Sequence, residues 1–185
     1  MNQKKPKGYR RSAKSIAVGG IFGAAAVVVM LLGGILPFST FAGPMFAGLF
    51  LMPVCVELGC KTALLAYCAV SLLSFLIVPD LETALFFVFL FGFYPIVQAF
   101  FSKIKSKALQ IAAKLLLVNL SIAAIYTLLL FVFASPAILE EFAGLSAWVL
   151  GLFVLLANFM FLLYDVMVTK VKLVYILRFR RKIFR

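Results

Sequence analysis

The chain has no histidine, three cysteines, one tryptophan and six acidic residues among its 185 positions. Without histidine there is no imidazole base, and the commonest transition-metal ligand is missing. The cysteines, Cys55, Cys60 and Cys68, are odd in number and form no CxxC pair. They supply neither a disulfide framework nor a metal knuckle, and they read as small buried thiols. Charged residues make up 13% of the chain, about half the share of an ordinary soluble domain. So few charges cannot cover the surface of a soluble domain of this length. A soluble enzyme, a disordered tail and a secreted disulfide scaffold are excluded.

The catalytic signatures are missing as well. No glycine-rich loop ending in Lys-Ser/Thr is present, so the chain cannot hydrolyse a nucleotide on its own. GxSxG and HExxH do not occur. No group of acids is clustered within an apolar run, as an intramembrane enzyme requires. No inverted repeat is evident, which argues against the common secondary-transporter plans. The expectation is a protein that is not an enzyme and carries no cofactor.

What the chain does have is hydrophobic length. Hydrophobic residues are 65% of the total, roughly the 120 residues that six membrane spans of about 20 use. Six apolar runs can be traced, at 16–36, 42–56, 62–78, 83–101, 108–134 and 145–169. The first is too long for a signal-peptide core and reads as a retained helix. The second is short and holds Gly43, Pro44, Gly48 and Pro53. It covers only about 23 Å as a helix, so it is a short or tilted span, or a partly broken one. Gly92 and Pro95 interrupt the fourth.

Lys and Arg number 18 against 6 acids, a net charge of +12. No polar aromatic surface accompanies that charge, so nucleic acid is not the expected partner. The basic residues instead follow the positive-inside rule. With the N-terminus in the cytoplasm, the inner segments hold all 18, while the outer loops hold none and carry Asp80, Glu82, Glu140 and Glu141. The inner set includes Lys61 and the group Lys103, Lys105, Lys107 and Lys114. The expected fold is therefore all-α: a polytopic membrane protein of six transmembrane helices with both termini cytoplasmic. A basic tail at 1–15 precedes a membrane domain at 16–169, and a basic segment follows at 170–185. That last segment, with Tyr175, Ile176, Phe179 and Phe184 among its cations, suits an anionic lipid interface or a cytosolic partner.

Functional candidates are the small and polar residues within the runs. In AVGGIFGAAAVVVMLLGG, Gly19 pairs with Gly23 and Gly20 with Ala24 at small-xxx-small spacing, which permits close helix approach. Such pairs serve either packing within the chain's own bundle or docking of a separate membrane subunit. Polar side chains inside the runs include Ser71, Ser74, Tyr94, Gln98, Asn119, Tyr126, Thr127 and Asn158. Each must be paired in hydrocarbon, by another helix or by a ligand. A substrate arriving from outside would meet Ser71, Ser74, Tyr126, Thr127 and Trp148. Asn158 would lie beneath it as a floor, and Glu82 would stand at the mouth. Trp148 also suits an interfacial anchor. Asp165 and Glu57 fall near cytoplasmic helix ends. No Lys or Arg lies on the outer half, which disfavours a strongly anionic ligand.

A basic tail followed by a small-residue helix ending in ILPF leads into AGPMFAGLFLMPVCVELGCKTALLAYCAVSLLSFLI and then FGFYPI. This order resembles the S component, the substrate-binding membrane subunit, of energy-coupling factor (ECF) transporters, over most of 13–170. The resemblance implies a six-helix protein that captures a vitamin or similar micronutrient from outside. It also implies partners: a transmembrane coupling subunit and its two ATPases, reached through an Ala-xxx-Ala contact on the first helix. Ala13 with Ala17, Gly19 with Gly23 and Gly20 with Ala24 are the candidates here, and only the first pair repeats the family pattern literally.

Overall fold

The computed structural model describes residues 7–36, 39–133 and 146–179, and these residues are mostly helical with no strand among them. Five of the described helical stretches are long and apolar enough to cross a membrane: Ile16–Ile35, Cys60–Ile77, Leu81–Phe101, Lys107–Val132 and Trp148–Arg178. A shorter apolar helix, Ala42–Leu58, lies between the first two. The chain divides into two compact units, Met1–Phe87 with Phe91–Ile96, and Val88–Leu90 with Val97–Arg185.

The first unit is built on α1, Lys7–Ile35. Its helix begins within the basic tail, ahead of the apolar run. Lys, Arg and Ala are all good helix formers. Hydropathy marks where the chain can enter lipid; propensity marks where the helix starts. Helix α2, Ala42–Leu58, runs for 17 residues without a break although Pro53 lies inside it. It is a short helix, and of the readings open from sequence the broken one does not apply.

Helices α1 and α2 meet backbone to backbone. A Cβ built on Gly33 would lie 2.6 Å from the Gly43 Cα, and one built on Gly43 would lie 2.8 Å from the Gly33 Cα. Only glycine fits at both positions. The Ser39 hydroxyl donates to the Gly33 carbonyl at 2.8 Å beside this contact. Helix α3, Cys60–Ile77, follows a one-residue turn at Gly59, whose φ of 87° is left-handed. The Gly59 N–H closes α2 on the Cys55 carbonyl and the Gly59 carbonyl opens α3 by accepting from Ala63, both at 3.1 Å.

Helix α4, Leu81–Phe86, is capped by Asp80. Its carboxylate accepts from the Glu82 and Thr83 N–H groups at 3.0 and 3.3 Å, which satisfies two otherwise orphaned donors. The stretch then widens to π geometry over Phe87–Phe91 and resumes as α5, Tyr94–Phe101. Pro95 has no N–H to offer the carbonyl one turn back, so the ladder must break there. The Gly92 N–H reaches five residues back to the Phe87 carbonyl at 2.8 Å. A Cβ on Gly92 would lie 2.7 Å from that oxygen, so the wide turn requires glycine.

The second unit contains α6, Lys107–Thr127, widening to a π turn over Leu128–Val132, and α7, Ala147–Val174, followed by a π turn over Tyr175–Phe179. Leu116, Leu120, Leu152, Phe153, Leu155 and Phe159 are exposed on these helices. An apolar surface of this extent on helices of this length is what a bilayer covers.

Candidate functional site

The polar residues of the second unit gather along the seam between α6 and α7. The Lys114 ammonium donates to Asp165 Oδ2 at 2.6 Å, with side-chain exposures of 8% and 16%. Gln98 of α5 reaches the same carboxylate, its Nε2 lying 2.9 Å from Asp165 Oδ1. The second hydrogen on that nitrogen points to Thr169 Oγ1, also at 2.9 Å. The Thr169 hydroxyl in turn donates to the Asp165 backbone carbonyl at 2.9 Å. Both carboxylate oxygens are thus engaged, and three helices are joined at one acid.

A second pairing lies one to two turns along the seam. Asn119 and Asn158 exchange side-chain hydrogen bonds, Nδ2 to Oδ1, at 3.0 and 3.1 Å. The remaining hydrogen of each amide goes to its own helix, to the Leu115 and Val154 carbonyls at 2.8 Å. All four N–H bonds are therefore used, which is how the exposed Asn119 amide and the half-buried Asn158 amide are tolerated in lipid.

The two pairings fix the relative direction of the helices. From Lys114 to Asn119 the partner number falls from 165 to 158, so α6 and α7 are antiparallel. The basic segment holding Lys103, Lys105 and Lys107 and the basic end of α7 with Lys170 and Lys172 therefore lie at the same end of the pair. Hydropathy and charge counting treat Lys114 as one more topology cation. The structure buries it about 10 Å along α6, at 1.5 Å per residue, as the partner of Asp165. A sequence signal was available: Lys114 and Asp165 are the charges deepest inside their runs, and each must find a partner there.

The residues expected to hold a substrate fall in both units. In the first, Ser71 and Ser74 are buried on α3, and the Ser74 hydroxyl donates to the Val70 carbonyl at 2.8 Å. Glu82 stands in the first turn of α4, half-buried. In the second, Tyr126 is half-buried and Thr127 exposed at the end of α6. Asn158 is committed to Asn119. Trp148 is 90% exposed at the start of α7, the position of an interfacial anchor.

The small residues of α1 separate into two groups. Gly33 and Gly34 are consumed by packing, with a Cβ on Gly34 meeting the Val78 side chain at 2.6 Å. Gly19 and Gly20 have no neighbour within 4 Å of a built Cβ, and Gly23 has only the Val70 side chain, at 3.7 Å. Ala17, Gly20 and Ala24 are exposed. The Ala13 side chain lies outside the described residues. The stripe runs on through the exposed Ile21, Val28 and Leu32. The close approach that small residues permit is thus used at the Gly33 end of α1 and left open at the Gly20 end.

Among the described residues, no group of three or more Cys, Asp or Glu side chains is placed to hold a metal ion. The architecture is that of an all-α chain with several helices long and apolar enough to be embedded in a membrane. Compared with family models, curated proteins and solved structures, the chain matches none.

Proposed function

We propose that this protein is the substrate-binding S component of an ECF-type importer in a bacterial cytoplasmic membrane. It spans the bilayer six times with both termini in the cytoplasm and captures a vitamin or related micronutrient from outside. It is not an enzyme; the energy comes from a transmembrane coupling subunit and its two ATPases. The observation that carries this reading is the open small-residue face of α1 around Gly20. Backbone can approach backbone there, as it does at Gly33 and Gly43, and a helix of a second membrane subunit fits that geometry. The resemblance in sequence order implies a docking contact on the same helix.

A second reading is a non-transporting membrane protein that assembles with partners and binds no small molecule. It is favoured by the closed Asn119–Asn158 pair and the engaged Asp165 carboxylate, which leave the seam polar groups serving each other. Native mass spectrometry of protein extracted gently from its host membrane separates the two. A bound small molecule, mainly apolar or aromatic, supports the importer. Ligand-free protein, unstabilised by a panel of vitamins and their precursors, supports the assembly role.

A further inference from the structure

The α2–α3 turn places two thiols together. Cys55 Sγ and Cys60 Sγ are 3.4 Å apart, although five residues separate them in sequence. The left-handed Gly59 makes this possible. It ends α2 with its N–H on the Cys55 carbonyl and starts α3 at Cys60. A continuous helix would rotate residues five apart away from each other; the reversal at Gly59 turns them inward. The backbone on either side is held, since the Thr62 hydroxyl also bonds the Leu58 carbonyl at 3.3 Å.

The two sulfurs differ in surroundings. Cys60, like Cys68, is exposed and not buried as the sequence suggested; it lies between Gly59 and Lys61, which are exposed as well. Cys55 is half-buried, packed against a core of Val54, Ala63 and Ile96 with Phe22 and Tyr67 at its edge. Charged Glu57 and Lys61 flank the turn, which places it at the aqueous boundary of the membrane. A disulfide needs about 2.05 Å between sulfurs, so the two sulfurs must draw closer than their 3.4 Å separation to bond.

We infer that Cys55 and Cys60 form a reversible dithiol–disulfide switch at the α2–α3 turn, oxidised by low-molecular-weight disulfides. In the first step the Cys60 thiolate attacks one sulfur of the small disulfide, forms a mixed disulfide and releases one small thiolate. In the second, the Cys55 thiolate attacks the Cys60 sulfur and expels the other. Two electrons pass from the protein sulfurs to the small disulfide, and the two protons go to the two small thiols released. The product ties the last turn of α2 to the first turn of α3. The ring it closes is short, so its stabilising effect through chain entropy is small and the bond remains open to reduction. This inference does not depend on the transport reading.

The test uses the full-length protein in detergent micelles with glutathione disulfide as the probe, read by maleimide labelling and intact mass. Two of the three thiols are expected to be lost together, with the mass falling by two hydrogens, Cys68 still labelled, and peptide mapping showing a Cys55–Cys60 link that dithiothreitol reverses. In Cys55→Ser the Cys60 thiol should stay as a persistent glutathione adduct. A persistent adduct on the unaltered protein, loss of Cys60 alone, or oxidation that only links chains through Cys60 or Cys68 would overturn the inference. The mapping on unaltered protein decides the matter even if the variant does not fold.

Discussion

Lys114 and Asp165 stand 51 residues apart in sequence and meet at 2.6 Å across the α6–α7 seam, both largely buried. A charge at such depth is costly in a membrane, and a paired one is tolerated mainly because its partner is present. Gln98 and Thr169 complete the arrangement by binding the other carboxylate oxygen and the carbonyl beside it. Asp165 thereby anchors α5, α6 and α7 at a single point.

Removing one charge should hurt more than removing both. Asp165→Asn or Lys114→Met leaves the other ion buried without its counter-charge and should cost about 3–5 kcal/mol. The double variant Lys114→Met with Asp165→Leu should recover most of that loss. Thermal unfolding in detergent, run as a double-mutant cycle, measures the coupling. Additive losses would show that the pair does not act as a unit.

The amide pair should behave in the same way on a smaller scale. Asn158→Ala strands the Asn119 side chain and should cost about 0.6–1.7 kcal/mol, between the average and the largest value found for interhelical hydrogen bonds in membranes. Adding Asn119→Ala should cost less than its own single substitution does. The same unfolding cycle reads this out, and full additivity would mean that the two amides do not bond each other.

The two glycine groups of α1 predict opposite responses. Gly33→Ala places a methyl 2.6 Å from the Gly43 Cα and should destabilise by about 1–3 kcal/mol, as overpacking does. Gly20→Ala meets nothing and should stabilise by about 0.5–1 kcal/mol through helix propensity. Melting temperatures of the two variants compared with the parent check this. Equal behaviour would erase the distinction between a packed and an open end of α1.

The sidedness of the basic segments can be checked directly. Single cysteines replacing Lys105 and Ser135, in a background without the native thiols, should label from opposite sides of a sealed vesicle. Labelling of both from one side would overturn the six-span topology. Ser135 lies outside the described residues, so this measurement also places the connection between α6 and α7.

Much of the helical order was legible in the sequence because a bilayer imposes a simple rule of about 20 apolar residues per span. The runs beginning near Ile16, Ala42, Thr62, Thr83, Ala108 and Leu145 all coincide with helical segments where the structure describes them. Less legible were features set by rotation about a helix axis or by backbone contact. Counting Lys114 with the loop cations ignored its helical phase, which turns it toward Asp165. The Cys55–Cys60 approach was hidden because no CxxC spacing announces it; the left-handed Gly59 creates it. Small-xxx-small spacing marked Gly19, Gly20, Gly23 and Ala24, while the tightest packing fell on Gly33 and Gly43. The candidate pocket residues Ser71, Ser74, Glu82, Tyr126, Thr127 and Trp148 were chosen by polarity and depth, and neither says which way a side chain faces.

Copurification tests most directly whether the open face of α1 is a docking surface. The tagged protein is expressed with its host's transmembrane coupling subunit and both ATPases, then extracted and isolated, in parent form and as Gly20→Leu. A Cβ at Gly20 meets nothing within 4 Å in the isolated chain, so the variant should fold and melt no lower than its parent, as should Gly20→Ala. The parent should retain the three partner subunits in fixed ratio, and Gly20→Leu should lose them with no fall in its melting temperature. Failure of the parent to retain them, or equal retention by Gly20→Leu, would contradict docking through this face.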